Sequence, residues 1–110
     1  MCGIFTILDI KGNPVELRKL AINRVKRIRH RGPDWSGVYS DKRAVICHER
    51  LAIVDVTHGA QPLVDKGTGR VLSVNGEIYN HLELRARYLK KAHEFQTASD
   101  CEPILYLYDE

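Results

Sequence analysis

Met1-Cys2-Gly3-Ile4-Phe5-Thr6-Ile7-Leu8 opens the chain, and the turn over residues 9–14, with Gly12 and Pro14, closes this stretch. Residues 4–8 are a short apolar run bounded by turn residues, which predicts a buried strand beginning almost at the first residue. A thiol stands at its head. Once Met1 is removed, Cys2 becomes the terminal residue. Its α-amine, with a reference pKa of about 7.7–8.0, is then a base available at neutral pH. Nucleophile and base would share one residue. Chains that start Met-Cys for no chemical reason are common, so the pattern needs support from elsewhere.

Outward from this strand, Asn13, Pro14 and Glu16 have the spacing of a helix cap, a first helical position and a capping box. Leu17, Leu20, Ala21, Val25 and Ile28 then recur at helical spacing as one apolar stripe, with Arg18, Lys19, Arg24, Lys26, Arg27 and Arg29 opposite. His30-Arg31-Gly32-Pro33-Asp34 is a breaker and predicts a loop. Residues 44–48 and 51–55 read as strands separated by Glu49-Arg50, and residues 71–75 as a third strand after the turn at 67–69. Asn80 and Glu83 repeat the cap spacing ahead of a helix with Leu82, Ala86 and Leu89 on one side. Ser99 or Asp100 would cap a last helix carrying Ile104, Leu107 and Tyr108. A native domain seldom ends just there, so the domain is expected to be truncated on its C-terminal side.

The chain has 110 residues, with 44% hydrophobic and 28% charged, which places it among folded rather than disordered chains. One modest core is what that length allows. No apolar run nears the roughly 20 residues of a membrane span. Residues 2–8 lack the basic flank and cleavage site of a signal peptide. Cys2, Cys47 and Cys101 are odd in number and far apart, which excludes a closed disulfide framework and a paired-cysteine zinc site; a reducing cytosol is expected. The five histidines have no metal-ligand spacing, so no metal is expected. Seventeen Lys+Arg against fourteen Asp+Glu leave a net charge of only +3. With few aromatics beside the basic helix face, nucleic acid is a poor candidate partner.

Candidate chemistry is scattered along the chain. Asn75-Gly76 can aim a side-chain amide and a backbone N–H at one oxygen, as an oxyanion hole does; Asn-Gly is also the commonest hairpin turn. Arg50 can grip a carboxylate with two parallel bonds, or be a solvated surface charge. Asp100 can hold an ammonium, or start a helix. Cys47, in a β-run, reads as a core residue. Singly, each feature has an ordinary structural explanation.

Together, the features match a family. Met1-Cys2-Gly3-Ile4, His30-Arg31-Gly32-Pro33-Asp34, Arg50-Leu51-Ala52-Ile53-Val54-Asp55, Gln61-Pro62, Asn75-Gly76-Glu77-Ile78-Tyr79-Asn80 and Ser99-Asp100-Cys101-Glu102 occur in that order. The chain resembles, from end to end, the glutaminase domain of glutamine-dependent asparagine synthetases, which are class II, N-terminal-nucleophile glutamine amidotransferases. The resemblance implies an α+β fold, the four-layer αββα sandwich with antiparallel sheets, over residues 1–110. It implies glutamine as substrate and a γ-glutamyl thioester on Cys2, with Asn75 and Gly76 stabilising the oxyanion. Arg50 would hold the α-carboxylate and Asp100 the α-ammonium, with Leu51, Ala52, Ile53, Val54 and Glu77 completing the pocket. The loop at residues 30–34 would support the nucleophile. No cofactor is implied for this segment; ATP and Mg would serve only a covalently attached synthetase domain, which the chain does not include. A relative amidating another carboxylate acceptor is the alternative, as is an inactive truncated product. Pro103 departs from the family, which usually has an aliphatic residue there; in a first helical turn proline is tolerable.

Overall fold

The computed structural model describes residues 1–53, 55, 57, 59–88 and 95–109. Val54, expected in the pocket, and Leu89, expected on a helix face, lie outside the described residues. The expected first strand forms as β1, Gly3–Leu8, but it is not buried as expected: Phe5 and Ile7 are half-buried against the core, whereas Ile4 and Leu8 are exposed. Helix α1, Pro14–Val25, starts as its cap predicts: Asn13 Oδ1 accepts from the N–H groups of Val15 at 2.9 Å and Glu16 at 3.3 Å. Its apolar stripe is narrower than expected, because Ala21 and Val25 are buried whereas Leu20 is 42% exposed. A 3-10 turn, Lys26–Arg31, continues the helix, so His30 and Arg31 close a helical segment and the predicted loop starts only at Gly32. A side chain at Gly32 would collide with the Glu49 backbone, and this close approach explains the glycine.

Strands β2, Trp35–Ser40, and β3, Ala44–Arg50, complete an antiparallel sheet in the order β1-β3-β2. The register pairs Ile4 with His48 and Trp35 with Arg50. Alternation along β3 sends Val45 and Cys47 into a core with Ala21 and Val25, flanked by Phe5, Ile7, Ile28 and Val38. His48 and Arg50 take the opposite face, where His48 Nδ1 lies 2.7 Å from Ser73 Oγ. β3 runs through Glu49-Arg50, which was expected to separate two strands. The second of those strands does not form among the described residues of 51–55. Instead, Ala52 N–H donates to Asp34 Oδ2 at 2.9 Å, and Asp55 adopts a left-handed φ of 49°. These bonds take backbone groups a ladder would need.

Strands β4, Leu63–Val64, and β5, Val71–Leu72, form a separate antiparallel pair. The strand expected over residues 71–75 therefore stops at Leu72. Helix α2, His81–Arg87, begins after Asn80 as expected, but the Asn80 side chain makes no capping bond. Leu82 is 71% exposed and Ala86 is also exposed, so the expected apolar side faces outward. Helix α3, Pro103–Leu107, has the proline in its first turn and buries Pro103, Leu105 and Tyr106. The expected face of Ile104, Leu107 and Tyr108 is thus the wrong one: the Tyr106 ring lies tilted against the Phe95 ring with centroids 4.7 Å apart, and Tyr108 is 79% exposed. Leu63, Leu105 and Tyr106 form a second core with Leu72, Tyr88 and Phe95. The architecture is a mixed one of helices and antiparallel sheet. No described helix is long and apolar enough to cross a membrane.

Candidate active site

The β1–β3 register carries Cys2 to the far end of β3. Gly3 pairs with Glu49, so the residue before Gly3 meets the residues after Glu49. Leu51 N–H donates to Cys2 Sγ at 3.3 Å, and the thiol faces Leu51 O at 3.8 Å. Arg31 Nε–H donates to Cys2 O at 3.0 Å. Asp34 bonds the other side of the junction, donating its N–H to Arg50 O at 3.0 Å and accepting from Ala52 N–H. Arg31, closing the 3-10 turn, and Asp34, in the loop after it, therefore brace the start of β1 against the end of β3.

A cavity of about 110 Å³ opens at this end, lined by Met1, Cys2, Arg50, Leu51, Ile53, Gln61, Val74, Gly76, Glu77, Ser99, Asp100 and Cys101. It gathers residues that lie up to 100 positions apart in sequence. Of the expected site residues, Cys2, Arg50, Leu51, Ile53, Gly76, Glu77 and Asp100 line it. Asn75 is exposed between two lining residues, Val74 and Gly76, and is not itself in the lining. Ala52 is half-buried with its N–H turned to Asp34, also outside the lining.

Arg50 is 5% exposed, and its Nη2 donates to Asp55 O at 2.6 Å. That carbonyl also accepts from Gly59 N–H, which places Asp55 and Gly59 beside the guanidinium. Across the cavity, Asp100 is 8% exposed and its Oδ2 accepts from Ile78 N–H at 2.7 Å. The turn bearing Asp100 is fastened by Arg85, which donates to Ser99 O at 2.6 Å and stacks 4.5 Å over Phe95. Glu102 closes the same turn by accepting from the N–H groups of Gln96 and Thr97. One buried cation and one buried anion thus border a single small cavity that also holds a thiol.

Met1, Gln61, Val74, Ser99 and Cys101 were not expected in the lining. Gln61 is 7% exposed and takes Val74 N–H on its Oε1 at 2.7 Å. The Gln61-Pro62 motif was its only signal. Burial, followed by the charge of Asp100, pushes the Cys101 thiol up to about 12. It stays protonated at neutral pH, and its Sγ faces Gly76 O at 3.8 Å, so Cys101 is a weak donor rather than a nucleophile. Burial also raises Cys47, in the core behind the sheet. Among the described residues no cluster suited to a metal ion occurs.

The model of the glutamine amidotransferase domain matches residues 1–110, the whole chain. The chain belongs to the glutamine amidotransferase domain family. This amidotransferase domain is 57% identical over 110 residues to the glutamine-hydrolyzing asparagine synthetase B of Escherichia coli (strain K12). It is 50% identical over 111 residues to a probable glutamine-hydrolyzing asparagine synthetase of Dictyostelium discoideum. A third relative, glutamine-hydrolyzing asparagine synthetase 2 of Oryza sativa subsp. japonica, is also 50% identical. Each match covers 100% of this chain but 20%, 20% and 18% of the respective relative. The chain spans about a fifth of the length of the curated relatives it matches. The resemblance drawn from the motifs is borne out across the amidotransferase domain.

Proposed function

We propose that this chain is the glutaminase part of an asparagine synthetase, hydrolysing glutamine to glutamate and ammonia through a thioester on Cys2. The observation that carries the reading is the single cavity shared by the Cys2 thiol, the buried Arg50 and the buried Asp100. Free glutamine presents one carboxylate and one ammonium at its α-carbon. Arg50 complements the first and Asp100 the second, and a simple amide, which lacks both groups, would forgo both contacts. Backbone and side-chain groups at Leu51, Ala52, Ile53, Val54 and Glu77 complete the pocket in this reading.

With Met1 removed, the Cys2 α-amine takes the thiol proton, through a water, and the sulfur attacks the γ-carbonyl carbon of glutamine. The oxygen of the tetrahedral intermediate is stabilised by the Asn75 side-chain amide and the Gly76 N–H. The C–N bond breaks, the α-amine returns the proton to the leaving nitrogen, and ammonia departs. Water then attacks the γ-glutamyl thioester, releasing glutamate and restoring the thiol.

The ammonia would supply the ATP-dependent conversion of aspartate to asparagine in a covalently linked synthetase domain. ATP and Mg would belong to that domain and not to this segment. An N-terminal-nucleophile four-layer αββα sandwich is the fold this reading implies. The placement of α1 against one face of the sheet and of Ser73, beside β5, against the other supports it. The three free thiols fit a cytosolic location. Cys2→Ala tests the reading: ammonia release from glutamine should be abolished, with ammonia-dependent synthesis in the linked enzyme retained. Glutamine hydrolysis persisting in the purified variant would place the nucleophile elsewhere.

A further inference from the structure

β5 ends at Leu72, and among the described residues no strand pairing holds residues 73–78. The proposed oxyanion donors, Asn75 and the Gly76 N–H, lie on this unpaired arm. Side chains from other elements hold it instead. His48 Nδ1 is 2.7 Å from Ser73 Oγ, Gln61 Oε1 accepts from Val74 N–H at 2.7 Å, and Asp100 accepts from Ile78 N–H at 2.7 Å.

His48 is the anchor with no other part in the site. It is 0% exposed, it does not line the cavity, and its Nε2 is buried without a hydrogen-bond partner among the described residues. An aliphatic residue would fill the same space without an unsatisfied polar atom. What the imidazole provides is the bond to Ser73, two residues ahead of Asn75. Burial, followed by the Arg50 charge, lowers the ring to about 4, so it is neutral at working pH, and its Nδ1 and the Ser73 hydroxyl share one hydrogen bond. His48 and Arg50 stand on the same face of β3. The strand that presents the carboxylate grip therefore also sets where the oxyanion arm begins.

We propose that His48 is a positioning residue for oxyanion stabilisation, acting through Ser73 to fix the Asn75-Gly76 arm relative to β3. The proposal rests on the glutaminase reading above. Oxyanion donors act most strongly on the charge that develops in the transition state, and small misplacements are felt there. Arg50 and Asp100, which hold the α-groups, are fastened independently of Ser73 and keep their ground-state grip.

Ser73→Ala is the mildest test, since it deletes only the hydroxyl. In the purified protein it should lower kcat for glutamine at least tenfold, with the Kd for glutamate by calorimetry unchanged within twofold. His48→Leu should match it, and the double variant should be no worse than either single one, because both remove one bond. His48→Asn, whose amide can still reach Ser73 Oγ, should recover most of the lost kcat; with Ser73→Ala it decides the matter even where His48→Leu fails to fold. A wild-type kcat in Ser73→Ala, or a loss explained by weaker glutamate binding, would overturn the proposal. Cys2→Ala in the same assay separates the two readings. Turnover absent from the wild type, or equal in wild type and Cys2→Ala, overturns both. An active wild type, an inactive Cys2→Ala and an unimpaired Ser73→Ala overturn the role of His48 alone.

Discussion

A guanidinium offers a carboxylate two parallel N–H donors in one plane, and an ammonium offers a point charge. Arg50 is already oriented, with its Nη2 held on Asp55 O at 2.6 Å. Arg50→Lys should therefore raise the KM for glutamine by roughly 10- to 100-fold, the worth of a charge-assisted bond of about 1.5–3 kcal/mol. An unchanged KM in steady-state kinetics would remove Arg50 from the carboxylate site. Asp100→Asn separates charge from scaffold. The amide oxygen can still accept from Ile78 N–H, so the melting temperature should stay within a few degrees while the KM for glutamine rises. A collapse of stability with unaltered KM would make Asp100 a structural residue only. Arg50 and Asp100 were expected at the site only through the family motifs that contain them, since singly each reads equally well as a surface charge or a helix start. Gln61 and Ser99 were not, since a neutral polar residue acquires its role only from the neighbours that burial brings to it.

Among the elements, those read correctly carried local signals. β1 is a short apolar run with a turn after it, and α1 has Asn13, Pro14 and Glu16 at its start. β2 was missed because Trp35-Ser36-Gly37-Val38-Tyr39-Ser40 mixes exposed and half-buried residues with a central glycine. The apolar residues at 51–55 suggested a strand, but Ile53 is 60% exposed at the cavity rather than packed in a core. That loop conformation depends on Asp34 and the Arg50 guanidinium, both distant in kind from any periodic pattern. β2 also shows why its glycine is needed. A side chain at Gly37 would collide with Gln61 O, the residue whose amide holds Val74. Gly37→Ala should cost about 1–3 kcal/mol in chemical denaturation and reduce glutaminase activity as well, because the strand and the Gln61 segment must separate. Full stability in that variant would contradict the close packing described.

At the scale of the whole molecule, His48 links stability to pH. Burial, with a smaller contribution from Arg50, depresses it from 6.5 to about 4. Above pH 6.5 neither folded nor unfolded chain protonates this ring. Between about 6.5 and 4 the unfolded chain binds a proton that the folded one refuses, so stability falls as pH falls. The loss should be on the order of 3 kcal/mol and level off below pH 4. Denaturant titrations of His48→Asn should show that portion of the slope flattened; an identical slope would mean the ring is not the group responsible. The same scale governs the central claim, because the cavity is assembled from residues near both ends of the chain and Met1 precedes its proposed nucleophile. Met1 lines the cavity, and while it remains, the Cys2 nitrogen is a peptide amide with no basicity. The measurement that bears most directly on the account is ammonia release from glutamine by preparations whose Met1 content is known from N-terminal mass spectrometry. The account predicts a rate proportional to the fraction lacking Met1; full activity in protein that retains Met1 would contradict it.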